Sequence, residues 1–426
     1  MEIKKRTVKE VTGLLPQLAE QEDYDPDSMA VEQARHFIRK FLTPLSDEDT
    51  LGLHDAHLRT LSRDVPSPMN VPPHDYSAMD GYALRHADLQ GDAAKLHVIG
   101  NSLAGHPFGG KVSTGECVRI MTGALIPSGC DTVVMQEQAT CEGADVVISG
   151  THTLGQNIRR AGEDIPFGAT ALRAGQVLRA AELGLLASLG LSRVVVFRKL
   201  RIAIFSTGDE LMQPGVPLEP GRIYDSNRYT LYALLSELGG AEILDMGSIR
   251  DDRNAIKSAL MTAASNADVI ITSGGVSVGE ADYIKDLLAE IGEVVFWKIA
   301  MKPGRPLAYG KIGTSHFFGL PGNPVAVMVT FKQFVSDALH ILMGQLPKPA
   351  FTLRAVCTER IKKSPGRTEF QRGILTQDET GVLTVRTTGA QGSGVLSSMS
   401  RANCFIVLAM AQGNVESGST VDVQLF

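Results

Sequence analysis

The segment DVIITSGGVSVGEADYIKDLLAEI, residues 268–291, contains the most informative pattern for the fold class. An apolar run, a glycine-rich turn and an amphipathic run follow one another, which predicts a buried strand, a loop and a helix. The same alternation extends over residues 200–345, where RIAIF, AEILDMG, VVFWKIA, LAYGK and HFFGL have strand patterns and 226–238, 253–264 and 324–343 have helical patterns. This alternation predicts an α/β domain with a mainly parallel sheet, helices on both faces and a hairpin at its last strands.

Other patterns flank this domain. Residues 28–42 carry apolar positions at helical spacing, and Ser46 with Asp49 resembles a capping box that predicts a second helix. Short β-type runs separated by Gly and Pro predict a small β domain over residues 71–150, and turn signals near the C-terminus predict another. Residues 1–27 end in the acidic EQEDYDPD and are expected to form a poorly packed lead.

Composition narrows the function classes. The chain has 426 residues, with 41 Lys and Arg against 47 Asp and Glu, so its net charge of -6 offers no overall basic field for nucleic acid or an anionic membrane. The length predicts about three domains. Five cysteines without a CxxC pair argue against a disulfide framework or a zinc site and favour a reducing cytoplasm. Lys332 and Asp337 interrupt the most apolar helical run, so neither a membrane span nor a signal peptide is expected.

The candidate chemistry lies at the carboxyl ends of the predicted strands. Ligands bind there in open parallel sheets because loops and helix N-termini converge at that edge. The segments that leave these strand ends are unusually rich in glycine, carboxylates and cations. They span residues 206–210, 247–252, 273–282, 298–305 and 319–324.

The loop SGGVSVG, residues 273–279, has the composition of a phosphate-binding turn. Its residues Gly274, Gly275, Ser277 and Gly279 allow backbone amides to approach an anion ahead of the next helix. The loop lacks the GxxxxGK[ST] spacing of a P-loop, so a tight structural turn is the alternative.

Three cations strengthen the phosphate interpretation. The segment KIAMKPGRP contains Lys298, Lys302 and Arg305, and its two prolines stiffen it. Fixed cations in a strand-end loop are suited to a polyanion. The alternative is three solvated surface charges.

Carboxylates at the same edge point to a metal. Asp209, Glu210, Asp251, Asp252 and Asp282 supply the hard oxygen ligands with which proteins hold Mg²⁺ beside phosphates. Any one of them can instead be a helix N-cap, Asp282 above all. The residue types therefore predict a Mg²⁺-dependent site for a phosphorylated small molecule.

A second polar set lies upstream. The run DYSAMDGY at 75–82 holds two carboxylates and a hydroxyl, RIMTG spans 119–123, and AGED spans 161–164. Each of these segments taken alone is equally typical of a turn.

Together the motifs resemble one known family. SAMDGYA at 77–83, AGHPFGG at 104–110, RIMTGA at 119–124, AGEDI at 161–165, STGDEL at 206–211, SGGVSVGEADY at 273–283, KPGRP at 302–306 and GLPGNPVA at 319–326 follow the order found in molybdopterin molybdenumtransferases. This is the MoeA and gephyrin E-domain family, which catalyses the last step of molybdenum cofactor synthesis. The resemblance runs from about residue 28 to 426 and is far more specific than a single glycine loop.

The resemblance implies a multidomain α/β architecture in an L-shaped homodimer. A three-layer αβα domain with a mostly parallel sheet would occupy residues 200–346 and bind molybdopterin. Residues 28–70 with 151–199 would form a dimerisation domain of helices and strands, 71–150 an inserted β lid domain, and 347–426 a C-terminal β-barrel domain. In the family, the lid of one subunit faces the central domain of the other.

The resemblance also implies a reaction and its site. Molybdate is joined to the dithiolene of adenylylated molybdopterin, and Mg²⁺-dependent hydrolysis of the adenylate releases AMP. Contacts with a molybdopterin adenylyltransferase and with recipient molybdoenzymes are implied as well. The implied catalytic residues are Asp80, Thr122, Asp164, Glu210 and Asp251, the implied Mg²⁺ ligands are Glu210, Asp251 and Asp282, and the implied substrate contacts are Gly274, Gly275, Ser277, Gly279, Lys298, Lys302, Arg305, Pro321 and Pro324.

Three positions depart from the family pattern. Tyr76 stands where the family usually has Asn, His74 stands where Phe is common, and Arg305 stands where Lys is frequent. An arginine in place of a lysine keeps the charge but changes its reach and hydrogen-bond geometry, so ligand affinity is expected to differ.

Two other functions stay open at the level of sequence. One is a molybdopterin adenylyltransferase, because that activity resides in a domain of the same αβα kind. The lid, the AGEDI segment and the C-terminal domain argue against it. The other is a non-catalytic scaffold, as in the animal relative, against which the retained Asp80, Glu210 and Asp251 argue.

Overall fold

The computed structural model describes residues 28–275, 282–346 and 351–426. They divide into two compact units. The smaller contains Arg63–Ala174 and Arg179–Val194, and the larger contains the described residues up to Ser62, Gly175–Leu178 and those of Val195–Phe426. The lead expected at residues 1–27 lies outside the described residues.

A six-stranded mixed sheet forms the centre of the larger unit. Its strands are β1 (Leu200–Thr207), β2 (Ala241–Ile249), β3 (Val269–Ser273), β4 (Glu293–Lys298), β5 (Pro306–Ile312) and β6 (Ser315–Leu320), and the helices between them are α1 (Asn227–Leu238), α2 (Arg253–Asn266) and α3 (Asp282–Ile291). The spatial order is β2-β1-β3-β6-β5-β4, and the pairs β2/β1, β1/β3 and β3/β6 are parallel, whereas β5 is antiparallel to both of its neighbours. The hairpin predicted at the last strands is confirmed, since β5 and β6 pair around Gly313, whose φ is +60°.

Both faces of this sheet are buried by helices. Ile202 and Ile204 of β1 belong to one apolar cluster with Leu231 of α1. The intervening Ala203 belongs, with Phe205 and residues of α2 and α3, to a second cluster. Alternate side chains of a strand point to opposite faces, so the helices cover the two faces separately and the carboxyl edge of the sheet stays available for a site.

An apolar helical stretch follows β6. It comprises an α-helix at Pro324–Thr330, a π-helical segment at Phe331–Val335 and an α-helix at Ser336–Leu342. Within the described chain, this stretch is the one segment long and apolar enough to cross a membrane by length and composition, and 67% of its most apolar window is buried inside the molecule. Core helices of globular domains have the same properties.

The C-terminal strands close into a barrel. These strands are β7 (Thr352–Cys357), β8 (Thr368–Gln377), β9 (Leu383–Thr387), β10 (Cys404–Leu408) and β11 (Thr420–Leu425), with a short helix at Leu396–Arg401 between β9 and β10. The pairings β8-β9-β7-β11-β10-β8 complete a ring of five strands, in which β7 and β9 pair in parallel and the other pairs are antiparallel. The barrel predicted for this region is therefore confirmed. A two-residue strand, Met301–Lys302, pairs with β8 in parallel.

The smaller unit is built around a second six-stranded sheet. One pair in it, Ala93–Ser102 with Glu116–Ile120, is parallel, and the other pairs are antiparallel. In spatial order the strands are Thr132–Met135, Gly81–Leu84, Glu116–Ile120, Ala93–Ser102, Asp145–Ser149 and Ala139–Glu142. This unit also contains the short pairs Val65–Pro66 with Thr170–Leu172 and Tyr76–Ser77 with Ile158–Arg159, two 3-10 turns at His86–Asp88 and Gln136–Gln138, and a helix at Ala180–Ser188.

The N-terminal elements correct one prediction. The first helix is confirmed and spans Val31–Lys40. The second helix predicted from Ser46 is wrong, because Glu48–Gly52 is a strand. The acidic side chain of Asp49 does not cap a helix but accepts a hydrogen bond from Arg59 at 2.7 Å. The remaining strands of the fold are Arg193–Phe197, Leu211–Met212 and Ile223–Tyr224.

His316 on β6 predicts a pH dependence of stability. Its ring is 7% exposed and stacks on Tyr309, and burial lowers its pKa to about 4. The unfolded chain takes up a proton near pH 6.5, whereas the folded chain does not until the pH falls to the depressed value. The free energy of unfolding should therefore fall by roughly 2 kcal/mol between pH 7 and pH 5 through this group.

Urea unfolding at the two pH values, for the wild type and for His316→Gln, measures this contribution. The difference between pH 7 and pH 5 should shrink in the variant by about the same 2 kcal/mol. An equal pH dependence in both proteins would mean that His316 takes up its proton over the same pH range in the folded and the unfolded chain.

Candidate functional site

A cavity of about 600 Å³ lies at the carboxyl edge of the central sheet. Residues at or after the ends of β1, β2, β3 and β6 line it, together with the N-terminus of α1 and the loop before the helix of the barrel. This is the edge at which the strand-end rule places ligands. The lining residues include Thr207, Glu210, Asp225, Asn227, Asp251, Gly274, Gly275 and Pro324.

Gly274 begins the turn after β3. Its φ is +91°, and a Cβ at this position would lie 2.5 Å from the backbone oxygen of Thr207. Gly275 also has a positive φ, of +69°. The turn therefore requires glycine, both for its left-handed backbone and for its close approach to β1. Ser277 and Gly279 lie outside the described residues.

Asn227 joins two loops of the cavity. Its Nδ2 donates to Ser273 Oγ and to the Gly322 carbonyl, each at 2.7 Å. The Gly322 carbonyl is only an acceptor, which fixes the orientation of the amide. Asn227 Oδ1 and Thr207 Oγ1 are buried, and neither has a hydrogen-bond partner within the described part of the chain. Buried polar atoms without a partner cost about 1–3 kcal/mol each, so this wall is suited to a polar ligand.

A buried ion pair supports the start of α1. Asp225 accepts hydrogen bonds from Ser206 Oγ at 3.1 Å and Ser248 Oγ at 3.0 Å, and also from the amide and Nε of Arg228 at 3.2 and 3.3 Å. Arg228 also donates to Asp245 at 2.6 Å. Burial opposes the charged form of the Arg228 guanidinium, whereas the carboxylates of Asp245 and Asp225 favour it. The net effect raises the pKa of Arg228. The pair ties β1, β2 and α1 together beneath the cavity.

Two predicted metal ligands share the cavity. Glu210 and Asp251 both line it, and the loops that carry them are linked by a 3.2 Å hydrogen bond from the Asp251 amide to Asp209 Oδ1. Asp252 instead caps α2, since its side chain accepts from the Ala255 amide at 2.8 Å. Asp282 is the first residue of α3, and its side chain lies outside what the structure describes.

The site fits Mg²⁺ better than a protein-enclosed metal centre. No group of three His, Cys, Asp or Glu side chains suited to a metal occurs among the residues with described side chains. Mg²⁺ usually takes one or two carboxylates and fills its other positions with water and phosphate oxygens. Glu210 and Asp251 satisfy that requirement.

The predicted cations lie apart from these carboxylates. Lys298 ends β4, and Lys302 and Arg305 are exposed on the segment that follows; within the described chain none of the three lines the cavity. Lys302 Nζ lies 3.6 Å from Glu369 Oε1 on the barrel. Pro324 lines the cavity at the first turn of its helix, and the carbonyl of Pro321 accepts from Ser273 Oγ at 3.4 Å.

The upstream set lies in the smaller unit. Asp80 Oδ1 accepts hydrogen bonds from the amide and the hydroxyl of Thr122, both at 2.7 Å. These bonds, the amide first, lower the pKa of Asp80. Asp164 is exposed, and its amide donates to the Val71 carbonyl at 3.0 Å. The structure thus brings Asp80 and Thr122 into direct contact and leaves the Asp164 side chain at the surface.

Comparison with known proteins decides the family. A molybdopterin molybdenumtransferase from Haemophilus influenzae is 45% identical over 402 residues, which cover 93% of this chain and 98% of that protein. The chain belongs to the molybdopterin molybdenumtransferase family. Another family member, from Nostoc, is 36% identical over 385 residues, which cover 88% of each chain.

Family models divide this molybdenumtransferase into three regions. The MoeA N-terminal region, described as domains I and II, matches residues 29–190, a probable molybdopterin binding domain matches 203–341, and the MoeA C-terminal region, described as domain IV, matches 354–426. Asp80, Thr122 and Asp164 fall in the first region, whereas the cavity residues up to Pro324 fall in the second. The resemblance found in the sequence motifs is therefore confirmed.

A solved structure has the same fold. The molybdopterin biosynthesis MoeA protein from Pyrococcus horikoshii superposes with a TM-score of 0.82 at 28% identity, covering 94% of this chain and all of that one. The multidomain α/β fold with mixed sheets and a closed C-terminal barrel is thus shared with this molybdenumtransferase family. Sequence motifs identified Glu210, Asp251 and Gly274 but missed Asn227 and Asp225, which carry no local signature of their role.

Proposed function

We propose that this enzyme inserts molybdate into adenylylated molybdopterin and hydrolyses the adenylate in a Mg²⁺-dependent reaction that releases AMP and the molybdenum cofactor. One observation carries the proposal: Glu210, Asp251 and the turn Gly274–Gly275 line the same cavity of about 600 Å³ in a chain of this family. In this proposal, residues 200–346 act as a three-layer αβα molybdopterin-binding domain.

Glu210 and Asp251 are the proposed holders of the metal, with Asp282 as a further ligand. Bound Mg²⁺ supplies Lewis-acid stabilisation of negative charge on phosphate oxygens. Glu210 and Asp251 would hold it, and the left-handed turn Gly274–Gly275, which lines the same cavity, is the proposed place for the phosphate oxygens. Substrate phosphate and metal ligands are then adjacent, as hydrolysis of the adenylate requires.

The other proposed site residues bind and orient the substrates. Lys298, Lys302 and Arg305 attract molybdate and the pterin phosphate, while Pro321 and Pro324 shape the loop between β6 and the helix that follows. Asp80, Thr122 and Asp164 are proposed to act from the lid. The 2.7 Å bonds from Thr122 keep Asp80 charged and fixed in orientation, which suits a group that contacts a substrate.

We also propose a cytoplasmic homodimer in which the lid domain (residues 71–150) of one chain completes the site of the other. The proposed catalytic carboxylates lie in both compact units. Glu210 and Asp251 belong to the larger unit, and Asp80 and Asp164 belong to the smaller unit. A dimerisation domain at 28–70 and 151–199 fits this arrangement. Contacts with a molybdopterin adenylyltransferase and with recipient molybdoenzymes belong to the same proposal.

Lys302→Ala should weaken substrate binding rather than chemistry. A charge-assisted contact of about 1.5–3 kcal/mol corresponds to a loss of roughly tenfold to a hundredfold in affinity for an anionic substrate. Stability should hardly change, since the Lys302 side chain is 49% exposed. Steady-state kinetics should show a raised half-saturating concentration of substrate or molybdate, and added salt should have the same effect on the wild type. Calorimetry that finds unchanged affinities in both Lys298→Ala and Lys302→Ala contradicts the anion-binding role.

The experiment that tests the proposed function is cofactor transfer. The purified protein is incubated with adenylylated molybdopterin, Mg²⁺ and molybdate, and the product is offered to a cofactor-free molybdoenzyme. Activity of the recipient supports the proposal, whereas no activity supports a non-catalytic scaffold. A parallel incubation with molybdopterin and ATP should yield no adenylylated product, and a yield there would favour an adenylyltransferase.

A further inference from the structure

Lys302 is attached to the barrel by its backbone. The short strand Met301–Lys302 pairs in parallel with Thr368–Glu369 at the start of β8, and the Thr368 amide donates to the Ala300 carbonyl at 2.9 Å. This pairing sets Lys302 directly beside Glu369. The backbone position of the lysine is therefore fixed by β8 of the barrel as well as by the proline-containing segment that carries it.

The side chains make an asymmetric ion pair. Lys302 Nζ lies 3.6 Å from Glu369 Oε1, and the Glu369 side chain is 6% exposed whereas that of Lys302 is 49% exposed. Gln371, two residues further along the same strand, donates through Nε2 to Glu369 Oε2 at 2.8 Å. One carboxylate oxygen of Glu369 is thus held by Gln371, and the other faces the Lys302 ammonium. Because the Lys302 side chain is 49% exposed, a ligand can still reach it.

Positive charge remains in excess around this pair. Lys363 is buried, and its Nζ donates to the carbonyls of Gln412 at 2.8 Å and Ser364 at 3.3 Å. Burial lowers the pKa of Lys363, Glu369 raises it, and Arg367 and Lys302 lower it, so these four groups share one electrostatic neighbourhood. Lys302, Lys363 and Arg367 are three cations to the one carboxylate of Glu369, which leaves this neighbourhood attractive to an anion.

We infer that Glu369 is a positioning residue that holds the Lys302 ammonium in place for an anionic substrate of this enzyme. The inference rests on the proposed function, in which Lys302 contacts the pterin phosphate or molybdate. A buried, hydrogen-bonded carboxylate reduces the freedom of a long flexible side chain, so less conformational entropy is lost when the anion binds. Glu369 acts only through Lys302 and contacts no substrate itself.

A double-mutant cycle tests this inference. AMP release from adenylylated molybdopterin is measured for the wild type, Glu369→Gln, Lys302→Ala and the double variant, with Mg²⁺ present and each substrate varied in turn. For the substrate whose half-saturating concentration Lys302→Ala raises, Glu369→Gln should raise it roughly threefold to tenfold with little change in kcat. In the Lys302→Ala background, Glu369→Gln should have no further effect.

Glu359→Gln is a matched control. Glu359 is another partly buried carboxylate of the barrel, but it accepts hydrogen bonds from the amide and hydroxyl of Thr387, at 2.7 and 2.5 Å, and not from a lysine. Its substitution should leave both half-saturating concentrations unchanged. If Glu369→Gln does not fold, Glu369→Asp replaces it, and this shortened carboxylate should give a smaller rise that also disappears in the Lys302→Ala background.

Several outcomes overturn the inference. A purely structural role would give the same effect of Glu369→Gln with and without Lys302. An unchanged or lowered half-saturating concentration in Glu369→Gln would show that the carboxylate does not assist binding, or that it competes with the anion. Unchanged binding in Lys302→Ala would remove the group through which Glu369 is inferred to act. A wild type that releases no AMP contradicts the proposed function itself and is thereby distinguishable.

Discussion

Asp251→Ala should lower Mg²⁺-dependent AMP release by about a hundredfold, since Lewis-acid stabilisation by a bound metal is worth several kcal/mol. The change removes one of the two carboxylates that line the cavity, and Asp251 is exposed, so core packing is unaffected. Asp282→Ala is expected to have a similar effect. AMP release is measured at a series of Mg²⁺ concentrations, with circular dichroism to confirm that the fold is retained.

Asp252→Ala is the control for this loss. The neighbouring carboxylate caps α2 through the Ala255 amide, so its removal should cost about 1 kcal/mol of stability and leave the Mg²⁺ dependence intact. Full activity in both Asp251→Ala and Asp282→Ala would contradict the metal assignment.

Mixed dimers of two inactive variants should regain activity. Asp80→Ala and Glu210→Ala are each expected to abolish turnover, because the proposed site takes Asp80 from one chain and Glu210 from the other. A heterodimer of the two variants has one intact site, and random pairing yields heterodimers for half of the molecules. An equal mixture should therefore show roughly a quarter of wild-type activity.

The mixing experiment requires that the chains dimerise and exchange. Light scattering should give twice the 45.7 kDa mass of one chain. The two variants are therefore unfolded and refolded together so that their chains can exchange. The control is each variant unfolded and refolded alone. A monomer mass, or a mixture no more active than its components, would show that the two sets of residues act within one chain or not together.

Much of this fold follows from local pattern. The strand Val269–Ser273, the turn that begins at Gly274 and the helix Asp282–Ile291 were predictable because an apolar run, glycines and helical spacing follow one another there. Glu210, Asp251 and Gly274 were predictable as a site because each follows a strand of a parallel sheet, and such strand ends meet at one edge. In these cases the sequence neighbours of a residue determine where it lies.

The failures come from contacts between distant residues. Ser46 and Asp49 have the spacing of a helix cap, but Asp47 and Asp49 bind Arg198 and Arg59, and the segment is a strand. Nothing around Asn227 indicates that its amide joins two loops nearly 50 and 100 residues away. Such pairings depend on the assembled tertiary structure, which local propensity does not contain.

The position of Lys302 also depends on contacts that the local sequence does not contain. The sequence pattern predicted that Lys302 lies at a strand end near the carboxylates. In the structure Lys302 pairs with Glu369 of the barrel, and other residues line the cavity.

AMP release in the presence and absence of Mg²⁺ is the decisive measurement for the proposed reaction. Purified protein is mixed with adenylylated molybdopterin and molybdate, with or without Mg²⁺, and AMP is quantified by chromatography over time. Wild-type protein should release AMP when molybdate and Mg²⁺ are both present, and omission of Mg²⁺ or the Asp251→Ala substitution should remove most of this release. Release that is independent of Mg²⁺, or no release with all components present, would contradict the proposed reaction.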